Sequence, residues 1–222
     1  IEKYEMPVLG YTPEHNAYPY NYMIGSEAQR RDAVDYLKLS LEMAKEMGAE
    51  FVLTSPANGG YLATYDQLWS RLEKNIQELG DYAAKLEIKL VVEALTPYES
   101  NFFTRANDLV ELFRRVDNPY VVGMCDIVPP FVQHESIMAY FDKLGNKMDH
   151  MHIIDGENGS DTHLIPGEGN IPIKEMLYEM KRIGYDKTAT LELVTNYINE
   201  PRFYAKRAID NMRELMAEAG IV

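Results

Sequence analysis

Four acid or imidazole side chains each close a short apolar run: Glu93 in KLVVEAL, Asp126 in VVGMCDI, His152 in DHMHIID and Glu192 in ATLELVT. A run such as IKLVVE is too short for a helix, rich in β-branched residues and continuously apolar, the pattern of a strand buried on both faces of a parallel sheet. An ionisable group at the end of such a strand is out of place, because burying a carboxylate without a partner costs several kcal/mol. Any one of the four, taken alone, also fits a loop-edge residue satisfied locally. The same placement in four strand-helix units points instead to strand ends that converge on a cation. The mixed oxygen and nitrogen donors suit Mn²⁺, Co²⁺, Mg²⁺ or a related divalent ion, and nothing in the sequence selects among them.

The elements that must position these groups alternate along the whole chain. Strands are predicted over 7–11, 51–55, 88–93, 120–126, 150–154 and 188–194. Helical spacing runs between them. Over 26–48 it passes through Ala33, Tyr36, Leu37, Leu39, Leu41, Met43 and Met47, opening at Ser26 with Glu27 beside it and closing at Gly48. Over 65–86 it passes through Leu68, Leu72, Ile76, Leu79 and Tyr82. Further helices are predicted over 106–116, 135–144, 172–184 and 201–217, the one before last with a proline in its first turn. Six strand-helix alternations without a composition break select an α/β fold with a parallel sheet. An open doubly wound sheet gathers ligands at one switch point, whereas a barrel aims every strand end at a common axis, so four ionisable strand ends favour a (β/α)8 barrel. Only six βα units are present. We therefore expect residues 1–222 to form a single TIM-barrel domain that is N-terminally incomplete, a reading to which the opening IEKYEMPVLGY, without an initiator Met, also leads.

Bulk properties narrow the function. With 46% hydrophobic residues in 222, the chain can bury a real core. Thirty-five acidic against 22 basic residues leave a formal charge of -13, which disfavours wrapping a nucleic acid backbone. The lone cysteine, Cys125, reads as a small core residue, and a reducing cytoplasm is the default location. No stretch reaches the roughly 20 apolar residues of a membrane span, and no basic leader with an apolar core precedes the first strand.

The stretches GYTPEHNAYPYN, LEMAKEMGA, EALTPYESN, AYFDKLGNK, HMHIIDG, SDTHLIPGEG and LELVTNYINEPRFYA resemble the xylose-isomerase-like superfamily of TIM-barrel sugar isomerases and epimerases. IPGEG alone would mark only the superfamily. EALTPYES with SDTHLIPGEG and NEPRFYA is similar to the narrower fructoselysine 3-epimerase family. The resemblance implies eight strands, of which the first here matches the third, so that about 50 residues in two βα units are absent from this sequence. It also implies a metal-dependent enzyme, an isomerase interconverting fructoselysine and its carbon-3 epimer through a metal-stabilised enediolate. Glu93, Asp126, His152 and Glu192 would bind the metal, with Glu93 and Glu192 also acting as base and acid on opposite faces of the substrate.

Two further positions follow the family pattern in part. Glu99 matches a position that contacts sugar hydroxyls in related epimerases, its other reading being a solvated loop carboxylate. His163, three residues before Pro166, stands where related ketose epimerases often have a substrate-binding Arg, and Pro129 replaces a His that many of them place after the metal-binding Asp. Both departures are compatible with a different substituent at carbon 1. His150 should share the inward face with His152 but lie deeper, as a hydrogen-bonded core histidine. Tyr11, Tyr18, Tyr20 and Tyr22 could wall a sugar pocket or pack their loop on a neighbouring subunit, and Trp69 reads as core. Competing functions are a ketose 3-epimerase or aldose-ketose isomerase on another sugar, an endonuclease, which the charge and five histidines oppose, and a non-catalytic sugar-binding protein. A homo-oligomer is expected from the exposed barrel edge.

Overall fold

The two long helices begin where a side chain can close their first turn. In the computed structural model, which describes residues 3, 5–16, 19–157 and 159–221, α1 (Glu27–Met47) starts behind Ser26, whose hydroxyl accepts from the Gln29 N–H while the Gln29 side chain accepts from the Ser26 N–H. Thr64 and Gln67 make the same reciprocal pair at the start of α2 (Tyr65–Leu86). Each pair satisfies two backbone donors that a helix start otherwise leaves open. At the other end α1 stops on Gly48 at φ 75°, the left-handed conformation that glycine adopts without strain.

The chain divides into two compact units, Ile1–Gly123 and Met124–Val222, the division falling inside β4 (Val121–Asp126). The first unit holds β1 (Gly10–Tyr11), β2 (Phe51–Thr54), β3 (Lys89–Val92) and the opening half of β4, all parallel, with Val52 opposite Leu90 and Val91 opposite Val122. Against them pack α1, α2 and α3 (Ala106–Arg115), whose Leu37, Leu41, Leu72, Ile76, Leu79 and Leu109 are fully buried. Gly80 allows close approach of α2 to the sheet, since a Cβ there would lie 2.5 Å from the Val121 side chain. Trp69 is core, as its spacing predicts. It meets Phe102 edge-on at 5.3 Å and carries the Arg115 guanidinium 4.8 Å over its ring.

The second unit holds the remainder of β4, α4 (Val128–Val132), α5 (Met138–Leu144), β5 (Met148–Ile153), α6 (Ile173–Ile183), β6 (Thr188–Leu191) and α7 (Pro201–Glu218). β5 and β6 are parallel, with His150 opposite Thr188 and His152 opposite Thr190, and the Ile127 N–H donates to His152 O at the end of β4. The strands neighbour one another in sequence order, β1 through β6. The helical α4 was not expected. Pro129 and Pro130 are accommodated because in a first turn their missing N–H groups cost nothing. β1 is shorter than predicted because only Gly10 and Tyr11 pair with β2. Cys125 is fully buried in β4. Among the described residues, no helix is long and apolar enough to cross a membrane.

Candidate metal centre

Three of the predicted strand-end groups meet in the second unit. Asp126 closes β4, His152 lies in the last turn of pleat of β5, and Glu192 follows β6 directly. Asp126 and His152 are 6% and 7% exposed, so neither could carry charge there without partners. His152 Nδ1 lies 3.1 Å from Glu192 Oε2 and 3.9 Å from Asp126 Oδ2. The other Asp126 oxygen, Oδ1, accepts from the Val128 N–H at 2.7 Å, which fixes the carboxylate at the start of α4. Each of the three residues offers one donor atom, and these atoms lie within 4.8 Å of one another. Two ligands of one ion, each bonded at about 2.0 to 2.6 Å, can be no further apart than roughly 5 Å. Carboxylate oxygen with imidazole nitrogen is a donor set that a divalent cation of this class accepts. The second unit therefore fits a metal ion.

His163 joins this group from the loop between β5 and α6. Its Nε2 is 3.3 Å from Glu192 Oε2 and 3.8 Å from Asp126 Oδ2, and its Nδ1 is 3.0 Å from Asp161 Oδ1. Burial by itself would lower the His163 imidazole, but the carboxylates of Asp126, Asp161 and Glu192 outweigh it and raise its pKa to about 12. Burial would likewise raise Glu192, and the imidazoles of His152 and His163 reverse this, holding it well below the usual carboxylate range. Asp161 was not singled out from the sequence. The signal available was its spacing, two residues before His163, which lets one loop supply both partners.

His150 lies one pleat from His152 and is 1% exposed, with its ring nitrogens 2.7 Å from Thr188 Oγ1 and 3.1 Å from Thr190 Oγ1. Desolvation, with the neighbouring His152, pushes its pKa down to about 4. It is the hydrogen-bonded core histidine that strand alternation predicts.

Glu93 and Glu99 are carried by the first unit. Glu93 follows β3, is 7% exposed, and donates its backbone N–H to Thr54 O at 2.9 Å. Glu99 is exposed and accepts from the Thr96 N–H at 3.2 Å and the Thr96 hydroxyl at 2.8 Å, closing a local turn. In the loop after β1, Tyr22 is buried with its hydroxyl 3.4 Å from Thr54 Oγ1, and Tyr20 stacks on Tyr36 at 4.1 Å. Tyr11 is half-buried, and Tyr18 lies outside the described residues.

Compared with known proteins, residues 1–215 match the family model described as xylose isomerase-like TIM barrel. The chain is 48% identical to fructoselysine 3-epimerase of Shigella flexneri over 98% of its own length and 79% of that protein's. Among solved structures it is similar to a D-tagatose 3-epimerase-like protein, with a TM-score of 0.83 and 21% identity over 99% of this chain and 80% of the other. It is also similar to the IOLI protein, solved with a binding zinc atom, with a TM-score of 0.78 and 19% identity over 98% and 79% of the two chains. Matched over nearly all its length by the family model and by a relative of such identity, the chain belongs to the xylose isomerase-like TIM-barrel family and is an enzyme of the isomerase class.

Proposed function

We propose that the protein is a metal-dependent 3-epimerase that interconverts fructoselysine and its carbon-3 epimer. The observation that carries this reading is the donor set of buried Asp126 and His152 with half-buried Glu192, found in a chain 48% identical to a fructoselysine 3-epimerase. We assign the fourth ligand to Glu93, which stands at the carboxyl end of its own parallel strand as Asp126 does. A divalent cation held there supplies positive charge against the negative charge that develops on the substrate oxygens as the carbon-3 proton leaves.

The chain's own residues move the proton. One of Glu93 and Glu192 removes it from carbon 3, and the other returns a proton to the opposite face, so that the product differs only in configuration at that carbon. The imidazoles of His152 and His163 hold Glu192 in its ionised form, the form a base requires. His163, cationic beside Glu192, and Glu99, in its turn after β3, are assigned to the substrate hydroxyls. A cation at 163 keeps the charge that an Arg would bring while reaching less far, which leaves room for a bulkier carbon-1 substituent. The working form is assigned as a homo-oligomer in the cytoplasm.

The experiment is proton exchange. Incubated with Mn²⁺ and fructoselysine in deuterated water, the protein should introduce deuterium at carbon 3 and produce the second epimer. Exchange at carbon 1 or 2 alone would identify an aldose-ketose isomerase. Mn²⁺ binding with no exchange would identify a sugar-binding protein.

A further inference from the structure

We infer that Asp155 is a positioning residue that sets the place of His163, an inference that rests on the 3-epimerase reading for its kinetic consequence. Asp155 follows β5 and is 1% exposed. Both carboxylate oxygens are spent on the loop that carries His163: Oδ1 accepts from the Gly156 N–H at 2.8 Å and the Ile171 N–H at 3.0 Å, and Oδ2 accepts from the Gly167 N–H at 2.9 Å. Its backbone is spent there too, exchanging two hydrogen bonds of 2.7 Å with Leu164. One buried side chain thus ties the loop at its beginning, middle and end. Charge-assisted bonds of this kind are roughly twice as strong as neutral ones.

The loop is built around that carboxylate. A Cβ on Gly169 would lie 2.4 Å from Asp155 Oδ1 and 2.4 Å from Gly156 O, an approach that only glycine permits. His163 is the immediate neighbour of Leu164 and sits at φ 47°, a left-handed conformation that a non-glycine residue keeps only where its surroundings over-determine it. On one side it is pinned by the Asp155–Leu164 bridge, and on the other by its contact with Asp161. The product of these constraints is the 3.3 Å approach of His163 Nε2 to Glu192 Oε2. Asp155 itself makes no hydrogen bond to Asp126, His152 or Glu192 among those described, so its influence on the centre runs through the loop.

Asp155→Asn keeps the shape but replaces one oxygen with an NH₂ group that must face a backbone N–H, and the loop has to shift. Misplacement of a positioned group by about 1 Å can cost on the order of 100-fold in rate. The test is a double-mutant cycle of D155N and H163A, read as kcat/KM for carbon-3 exchange and as Mn²⁺ affinity by calorimetry. If Asp155 acts through His163, D155N lowers kcat/KM by about 10- to 100-fold, the double variant is no worse than H163A, and Mn²⁺ affinity is unchanged. Losses that multiply in the double variant, or a D155N enzyme with wild-type kcat/KM, would overturn the inference. Should D155N not fold, Gly169→Ala, whose Cβ would press on Asp155 Oδ1 and Gly156 O, disturbs the same tether while keeping the carboxylate's charge and enters the same cycle. The His163 ring resonances give a readout that needs no turnover. They should move in D155N even if the wild-type protein exchanges nothing at carbon 3, which would refute the epimerase reading alone, while unmoved resonances would refute the positioning role.

Discussion

His152 lies in β5 and Glu192 directly follows β6, yet His152 Nδ1 and Glu192 Oε2 lie 3.1 Å apart. The same Glu192 oxygen meets His163 Nε2 at 3.3 Å, so one carboxylate serves two imidazoles. Glu192→Gln removes the charge both depend on. We expect carbon-3 exchange to fall by about 10²- to 10⁴-fold, the range of a lost acid-base group, together with weaker Mn²⁺ binding by calorimetry. Wild-type exchange in this variant would remove Glu192 from the chemistry.

If Glu93 and Glu192 work on opposite faces of the substrate, their amide variants should differ in direction. Deuterium entry measured from each epimer separately should be slowed more from one epimer in Glu93→Gln and more from the other in Glu192→Gln. Equal slowing from both epimers in both variants would contradict the division of labour.

His15 should make the stability of the first unit sensitive to acid. Its Nδ1 is 2.9 Å from Pro13 O and its Nε2 accepts from the Ser55 N–H at 3.2 Å, so the neutral ring with its proton on Nδ1 satisfies both contacts. Burial pushes its pKa below the ordinary 6.5. The unfolded chain therefore takes up a proton first as pH falls through 6.5, and stability is lost from there down to the folded-state pKa. Chemical denaturation across this range should show a shallower pH slope in His15→Gln, by up to one proton, or about 1.4 kcal/mol per pH unit. An unchanged slope would show that His15 does not titrate on unfolding.

Glu78 should act with the opposite sense on the charge scale and the same sense in acid. Hydrogen bonds from Arg31 at 2.7 Å and Lys38 at 2.5 Å, against some desolvation, hold its pKa at about 2. Its contribution is complete above the ordinary value of 4.5 and disappears as pH falls from there toward 2. Because all three side chains are partly solvated, the gain is that of a surface network, about 1 kcal/mol or less. The melting difference between wild type and Glu78→Gln should be visible at neutral pH and vanish in strong acid.

Gly48→Ala tests the end of α1. No atom lies within 4 Å of the added Cβ, so the cost is conformational only, at φ 75°. Urea unfolding should show a loss of about 1 kcal/mol. A larger loss would mean that the cap has a packing role not evident from its surroundings.

The helices and the candidate ligands differ in how far the amino-acid order reveals them. α2 occupies the residues its periodicity predicts, and α1 falls between the Ser26 and Gly48 that bound it, because caps and apolar spacing are local. α4 escaped notice because two prolines are compatible with a first helical turn but do not announce one. Glu93, Asp126, His152 and Glu192 stood out as ionisable groups in apolar surroundings, a contrast visible without coordinates. The contact of His163 with Glu192, the support of Asp161 and the loop bonds of Asp155 had no such signal. They are made by an irregular loop, which has no period to read, and they join residues whose distance along the chain says nothing of their distance in space. By itself, then, the sequence determined the succession of strands and helices and the chemical types at the strand ends, since backbone propensity and burial act locally. Only the tertiary structure decided which of those groups touch, because hydrogen bonding and mutual charge stabilisation depend on separations of a few ångströms that the packed strands and the tethered loop impose.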